Sequence, residues 1–348
     1  MAWAKLIGLD PKACELTGSG MPSLRWEELP HAALPMWARH FYGSPALRAR
    51  IAELHGTIPG RVLIASGTSL ANHLIAAALV DHGDRVVIET PTYEPLLKTI
   101  QYVGGVPVPL PRPYSTGFQP DPADLERVVK GARLVVLTNL HNPTGVAIEP
   151  DRLAAITRIT ARAGVPLLVD EVYLDFLEEP PHARGEHVIT TASLTKVYGL
   201  TGLRCGWAVA AEPIMRKAWQ IKDLMSVIDP YPMEELATRI LGDRERWRQP
   251  ARDHARAGQQ IFADWAAAEG FAYVPPAGGI IAALKLPDRV DAKRLVDHLE
   301  EAHDTRVVPG DYFALPGFVR VGVGGDHTTL REGLKRLAKG IREFATGR

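Results

Sequence analysis

Between Arg61 and Ala210 the chain repeats one pattern: short β-branched runs separated by stretches with helical spacing. The runs are RVLIA (61–65), RVVIE (85–89), RLVVLT (133–138), VPLLV (165–169), HVITTA (187–192) and CGWAVA (205–210). Between them, Leu70, Leu74, Ile75, Ala78 and Leu79 fall at helical spacing, and similar stretches lie near 94–103 and 150–163. Strands that are apolar on both faces and alternate with helices predict an α/β domain with a mostly parallel central sheet flanked by helices. After about residue 234 the pattern changes to an Arg-rich helical region interrupted at Pro250, the apolar strand GGIIAALKLP, a helix near 291–303 and a strand near 319–323. This predicts a second, smaller α+β domain. The first thirty or so residues show little periodicity and are expected to pack across both parts. The expected division is a large domain at 36–240, with 1–35 joining 241–348 in the small one.

A chain of 348 residues that is 46% hydrophobic and 23% charged has room for two domains and is too apolar to be disordered. Forty basic side chains balance forty acidic ones, so no net field holds nucleic acid or an anionic membrane. Cys14 and Cys205 match neither a disulfide framework nor a zinc spacing, and fit a reducing compartment. The opening MAWAKLIGLD lacks the basic and apolar regions of a secretion signal, and no apolar run reaches the roughly 20 residues that span a bilayer. The expectation is a cytoplasmic protein without membrane or nucleic-acid partners.

Open α/β sheets bind ligands beyond the carboxyl ends of their strands, so the residues just after each strand are the candidates for chemistry. After RVLIA comes Ser66-Gly67-Thr68, a hydroxyl-rich turn into a helix that suits a phosphate or is a plain N-cap. After RLVVLT, Asn142 precedes Pro143-Thr144-Gly145. VPLLV runs into Asp170 and then Tyr173, which sets a carboxylate at the end of a buried strand, or a simple turn former there. HVITTA leads to Ser193 and Lys196, and Arg204 follows in GLTGLRCGW. A lysine at a strand end between hydroxyls and a glycine-rich segment suits a nucleophilic amine, although a lone lysine is more often a surface charge. Other features invite a plain explanation. Gly18-Ser19-Gly20 has no preceding strand, and Met21-Pro22 stands where a dinucleotide-binding helix would open. The twelve histidines, His182 and His187 among them, show no paired metal spacing and are read as surface residues. The Arg/Glu run at 243–256 reads as a solvated helix face.

Taken in order, these residues resemble the fold-type I pyridoxal 5'-phosphate (PLP) enzymes, specifically the class I/II aminotransferases. The resemblance is carried by YGSPALRARIAEL (42–54), SGT, PTYEP (91–95), HNPTG, DEVY (170–173), SLTKVYGLTGLRCG (193–206) and PGDYFALPGFVRVGVG (309–324). It implies that Lys196 is the Schiff-base lysine and the acid–base catalyst at Cα. Asp170 would hold the proton on the pyridine nitrogen, and Asn142 and Tyr173 would hydrogen-bond the cofactor's O3'. Ser66, Gly67, Thr68, Ser193 and Arg204 match the phosphate cup, and Tyr93 the aromatic that stacks on the ring. Tyr42 resembles the tyrosine that reaches the phosphate of a neighbouring subunit, which implies a homodimer with shared active sites. Arg320, with Asn142, matches the substrate-carboxylate site. Strand alternation puts Arg320 on the face opposite Val319, Val321 and Val323.

The activity so implied is transfer of an amino group from an amino acid to a 2-oxo acid by two half-reactions, with ping-pong kinetics. His141 before Asn142 also occurs in relatives that include carbon–sulfur lyases, so a PLP-dependent carbon–sulfur β-lyase is the alternative. Cys205 after the arginine replaces the usual aliphatic residue or alanine. A non-catalytic PLP-binding regulator would carry a DNA-binding module in front, and the residues before Tyr42 are too few for one. The donor's side chain and the acceptor stay open at this point.

Overall fold

The computed structural model describes residues 13–345, and the MAWAKLIGLD segment lies outside them. A short strand β1 (Cys14–Glu15) is followed by the strands of a seven-stranded sheet: β2 (Val62–Ala65), β3 (Arg85–Thr90), β4 (Val106–Pro111), β5 (Leu134–Thr138), β6 (Leu167–Asp170), β7 (Val188–Ser193) and β8 (Gly206–Val209). Their spatial order is β2-β8-β7-β6-β5-β3-β4, and every pairing is parallel except those of β8. Every residue of β5 is buried, as expected of a strand covered on both faces.

The helices are α1 (Pro45–Leu54), α2 (Thr68–Leu79), α3 (Glu94–Tyr102), α4 (Pro122–Val128), α5 (Pro150–Ala163), α6 (Glu212–Met225), α7 (Tyr231–Gly242), α8 (Arg244–Glu269), α9 (Ala292–His303) and α10 (His327–Ala345). Helix α5 shows why such segments form: Leu153, Ile156 and Ile159 recur along one stripe that is buried in the core of the sheet, and Gly164 ends the helix in the left-handed conformation. None of the described helices is long and apolar enough to cross a membrane.

A second, antiparallel sheet has the order β11-β12-β9, from β9 (Ile281–Lys285), β11 (Val308–Pro309) and β12 (Phe318–Gly322). Its core joins Leu284, Val319 and Val321 to Leu295 and Leu299 of α9 and Leu334 and Leu337 of α10. Here β1 pairs with β10 (Thr305–Arg306), and the chain then crosses to the large sheet. Gly322 donates its N–H to the Leu16 carbonyl, Met21 donates to the Lys196 carbonyl and Leu24 to that of Gly199. Gly199 has φ +63°, and a Cβ there would lie 2.4 Å from the Pro22 carbonyl oxygen, so only glycine lets the two segments meet.

Three features depart from the sequence reading. Periodicity passes over β4, whose Pro107, Pro109 and Pro111 are tolerated because the strand forms the sheet edge, beside β3 alone. Pro250 does not interrupt its helix: α8 is continuous, and the proline sits within its second turn. The Arg/Glu run is solvated on one side only: Glu245, Arg246, Asp253 and Arg256 are exposed. Arg244, Arg248 and Arg252 recur every four residues on one side of α8, and Arg248 and Arg252 are buried. Arg244 pairs with Asp175, while Arg252 donates to the carbonyls of Asp175 and Leu177, so this side grips the turn that follows Tyr173.

Candidate active site

The carboxyl ends of β5, β6 and β7 and the start of α2 open onto one cavity of about 210 Å³. Asp170 closes β6 and lies on its wall, 4% exposed. Its Oδ2 accepts from Asn72 Nδ2 at 2.7 Å and its Oδ1 from the Val172 N–H at 3.0 Å. Thr191 in turn donates to Asn72 Oδ1 at 2.7 Å, which fixes the amide's orientation. Asn72 was missed from the sequence, where its only signal is one amide beside Ala71 and Leu74 on the buried side of the helix. Both of these partners of the carboxylate are neutral, and burial pushes its pKa up to about 6.

Lys196 lies in the turn after β7, and its Nζ donates to Ser19 Oγ at 3.1 Å. The Tyr173 hydroxyl donates to the Ser19 carbonyl at 3.2 Å, so the N-terminal segment touches both groups. Asn142 and Tyr93 complete this part of the wall, and burial raises the Tyr93 phenol to about 12.

At the other end Thr68, Ser69, Ser193, Thr195 and Arg204 line the cavity. The hydroxyls of Thr68 and Thr195 are buried without a hydrogen-bond partner. Gly67 has φ +90°, and a Cβ there would lie 2.4 Å from Arg204 Nη2, so glycine lets the guanidinium fold against the turn and donate to the Ser66 carbonyl at 3.2 Å. Ser66 and Gly67 stand behind the wall rather than on it. The Ser66 hydroxyl turns away to Asp229, which pairs with Lys222 at 2.6 Å out of solvent contact, and Ser69, unmarked in the sequence, takes the facing position.

Arg320 is 2% exposed and stands one layer back. Its Nη1 donates to Asn142 Oδ1 at 3.2 Å and its Nη2 to the Thr17 carbonyl at 2.8 Å, while Nε has no partner. Tyr42 is outside this cavity: it is 42% exposed and its hydroxyl donates to Asp223 Oδ2 at 2.9 Å. The reading of the histidines as surface residues fails for His141, which is fully buried between Thr144 Oγ1 and the Pro91 carbonyl. Burial holds its pKa well below the usual imidazole value, so it packs there as a neutral ring.

The cavity thus holds a buried anion and, just behind its wall, a buried cation, each hydrogen-bonded to neutral groups, with unpartnered hydroxyls and a guanidinium at one end and a lysine amine between. Such groups can complement a pyridinium, a carboxylate, a phosphate and an aldehyde, which are the parts of PLP and an amino-acid substrate. The family model for aminotransferase class I and II matches residues 38–337. The chain is 31% identical over 315 residues to capreomycidine synthase of Streptomyces vinaceus, covering 88% of this chain and 81% of that protein. It is 27% identical over 314 residues to an aspartate/prephenate aminotransferase of Thermus thermophilus, covering 85% and 81%. Among solved structures, the PLP-dependent cyclase OrfR superposes with a TM-score of 0.88 at 27% identity over 98% of this chain and 96% of that one. The chain belongs to the class I and II aminotransferases: it is a PLP-dependent transaminase.

The raised pKa of Asp170 has a measurable consequence in the cofactor-free protein. An unfolded aspartate titrates near 4, so between about pH 4 and 6 the folded state binds the extra proton. The carboxyl's contribution to stability is fully present below pH 4 and is lost as pH rises through 6, a swing of up to about 3 kcal/mol. In urea denaturation at a series of pH values, the stability of wild type minus that of Asp170→Asn should fall by that order between pH 4 and 7. A flat difference would contradict the burial argument.

Proposed function

We propose that Lys196, Asp170, Tyr173, Asn142 and Arg320 carry out the transamination, and that the substrate is an amino acid whose carboxylate Arg320 binds. The carrying observation is the pair of opposite buried charges, Asp170 and Arg320, which a positively charged ring nitrogen and a substrate carboxylate would complete.

When bound, PLP supplies an aldehyde for amines and a ring that accepts electrons from Cα. The anionic Asp170 would hold a proton on the ring nitrogen, and Asn72 keeps that carboxylate in place. Lys196 would anchor the aldehyde, and its Nζ would move the proton at the substrate Cα. Asn142 and the Tyr173 hydroxyl would hold the phenolic oxygen, and Tyr93 would supply an aromatic face for the ring. Thr68, Ser69, Ser193, Thr195 and Arg204 hold the phosphate, with Ser66 and Gly67 shaping the turn behind them. Arg320 orients the substrate through its carboxylate and also fixes Asn142, so binding and ring contacts are coupled.

The working unit in this reading is a homodimer in the cytoplasm. Trp37, Phe41, Tyr42, Leu224, Met225 and Val227 expose large apolar side chains along two adjoining segments, and both cysteines are free thiols. Ser66, Ser69 and Met225 line an open cleft beside the phosphate end, which gives a partner's tyrosine a way in.

Single-turnover mixing of the holoenzyme with each of the twenty amino acids tests the reading. Suitable donors should convert the cofactor to its amine form and yield a 2-oxo acid, and Arg320→Ala should need at least about 100-fold more donor for the same rate. Release of ammonia without the amine form would favour the carbon–sulfur lyase, which neither the family nor the relatives above support. A second reading, ring closure of an amino acid, has one observation behind it: the 27% identity over 98% of this chain to a PLP-dependent cyclase. In that case no amino acid should yield the amine form, and the substrate should leave as a cyclic product.

A further inference from the structure

The last residue of α9 and the C-terminal turn of α10 bring together a group that serves no part of the reaction. His298 Nε2 lies 2.9 Å and His303 Nε2 lies 2.7 Å from the same oxygen, Oε2 of Glu343. The three ligand atoms lie within 4.8 Å of one another, and none of these residues lines the active-site cavity. We propose that His298, His303 and Glu343 form a site for a borderline divalent cation of the zinc type, which clamps α10 to α9.

Two neutral imidazole nitrogens and one carboxylate oxygen are a zinc donor set, with a fourth position left for water. In a tetrahedral site with metal–ligand distances near 2.1 Å, ligands stand about 3.4 Å apart, so the carboxylate must withdraw by roughly 0.5 Å. Glu343 can do so: its side chain is 31% exposed at the end of a long helix, with Lys339 Nζ 3.8 Å from its other oxygen, Oε1. The imidazoles are better fixed. The His303 side chain is 7% exposed, and its ring meets that of His298 edge-on at 5.2 Å between centroids. His298 in turn packs on Phe344, with 5.4 Å between ring centroids. The two histidines are five residues apart, which does not place them on one face of a regular helix. They nevertheless converge on one oxygen of Glu343; His303 is the final residue of α9, and Asp304 after it has φ +43°.

The test uses holoenzyme freed of metal with EDTA, dialysed, and titrated calorimetrically with zinc chloride. One ion per chain should bind at micromolar concentration or tighter, and His298→Gln and Glu343→Gln should each weaken it by more than about 100-fold while cofactor content and transaminase activity stay at wild-type values. A cobalt(II) titration of the wild type should give the visible absorption of a four- or five-coordinate ion. That measurement decides the matter without any variant if a substitution proves unstable. No binding at 100 µM zinc, or binding that His298→Gln leaves unchanged, overturns the proposal. So does a cobalt spectrum identical to that of the hexa-aqua ion.

Discussion

Lys196→Ala should lower turnover of every amino donor by at least about 10⁴-fold, because one substitution removes both the covalent anchor and the group that moves the proton at Cα. Folding should survive: the Met21 and Gly199 contacts that seat this loop run through backbone atoms. The cofactor should still bind through the phosphate contacts of Thr68, Ser69 and Arg204. Borohydride reduction followed by peptide mass spectrometry should therefore tag position 196 in the wild type and leave the variant untagged although it retains cofactor. Turnover within tenfold of wild type would place the chemistry on another amine.

Asp170→Ala should be the second most damaging change, with kcat lowered by about 10³-fold or more, equivalent to about 4 kcal/mol of barrier. Without the anion nothing holds a proton on the ring nitrogen, and the ring accepts electrons poorly. Some cofactor should remain bound, since phosphate and lysine contacts are untouched, so the loss should appear in kcat rather than in occupancy. Asn72→Ala separates charge from placement: the carboxylate stays but loses its 2.7 Å partner, and a smaller fall in kcat with a shifted pH profile is expected. Unchanged turnover in Asp170→Ala would remove the electron-sink argument.

What was legible in the sequence was local. Strand period, the helical stripe of 70–79 and the turn residues after each strand lie within a few positions of one another, so one window contains the whole signal. For this reason Asp170, Asn142 and Lys196 could be placed at strand ends before the sheet was seen. Much of what was missed joins distant segments. Asn72 reaches Asp170, and His298 reaches Glu343; no periodicity encodes such pairs. Arg244, Arg248 and Arg252 did share a helical face, but arginines at that spacing also suit solvent. Only the packing of α8 against the turn at 174–176 decides between the two.

The pairing of Cys14 with Thr305 sets a timetable for the molecule's birth. On the ribosome, the arm carrying Ser19 emerges well before its strand partner, because the whole large sheet is synthesised between Cys14 and Thr305. At ordinary elongation rates the wait is roughly 15 to 60 s. Through that interval the nascent large sheet can assemble, but the wall beside Lys196 stays unfinished, so competence for vitamin B6 capture should follow synthesis of the Thr305 strand rather than precede it.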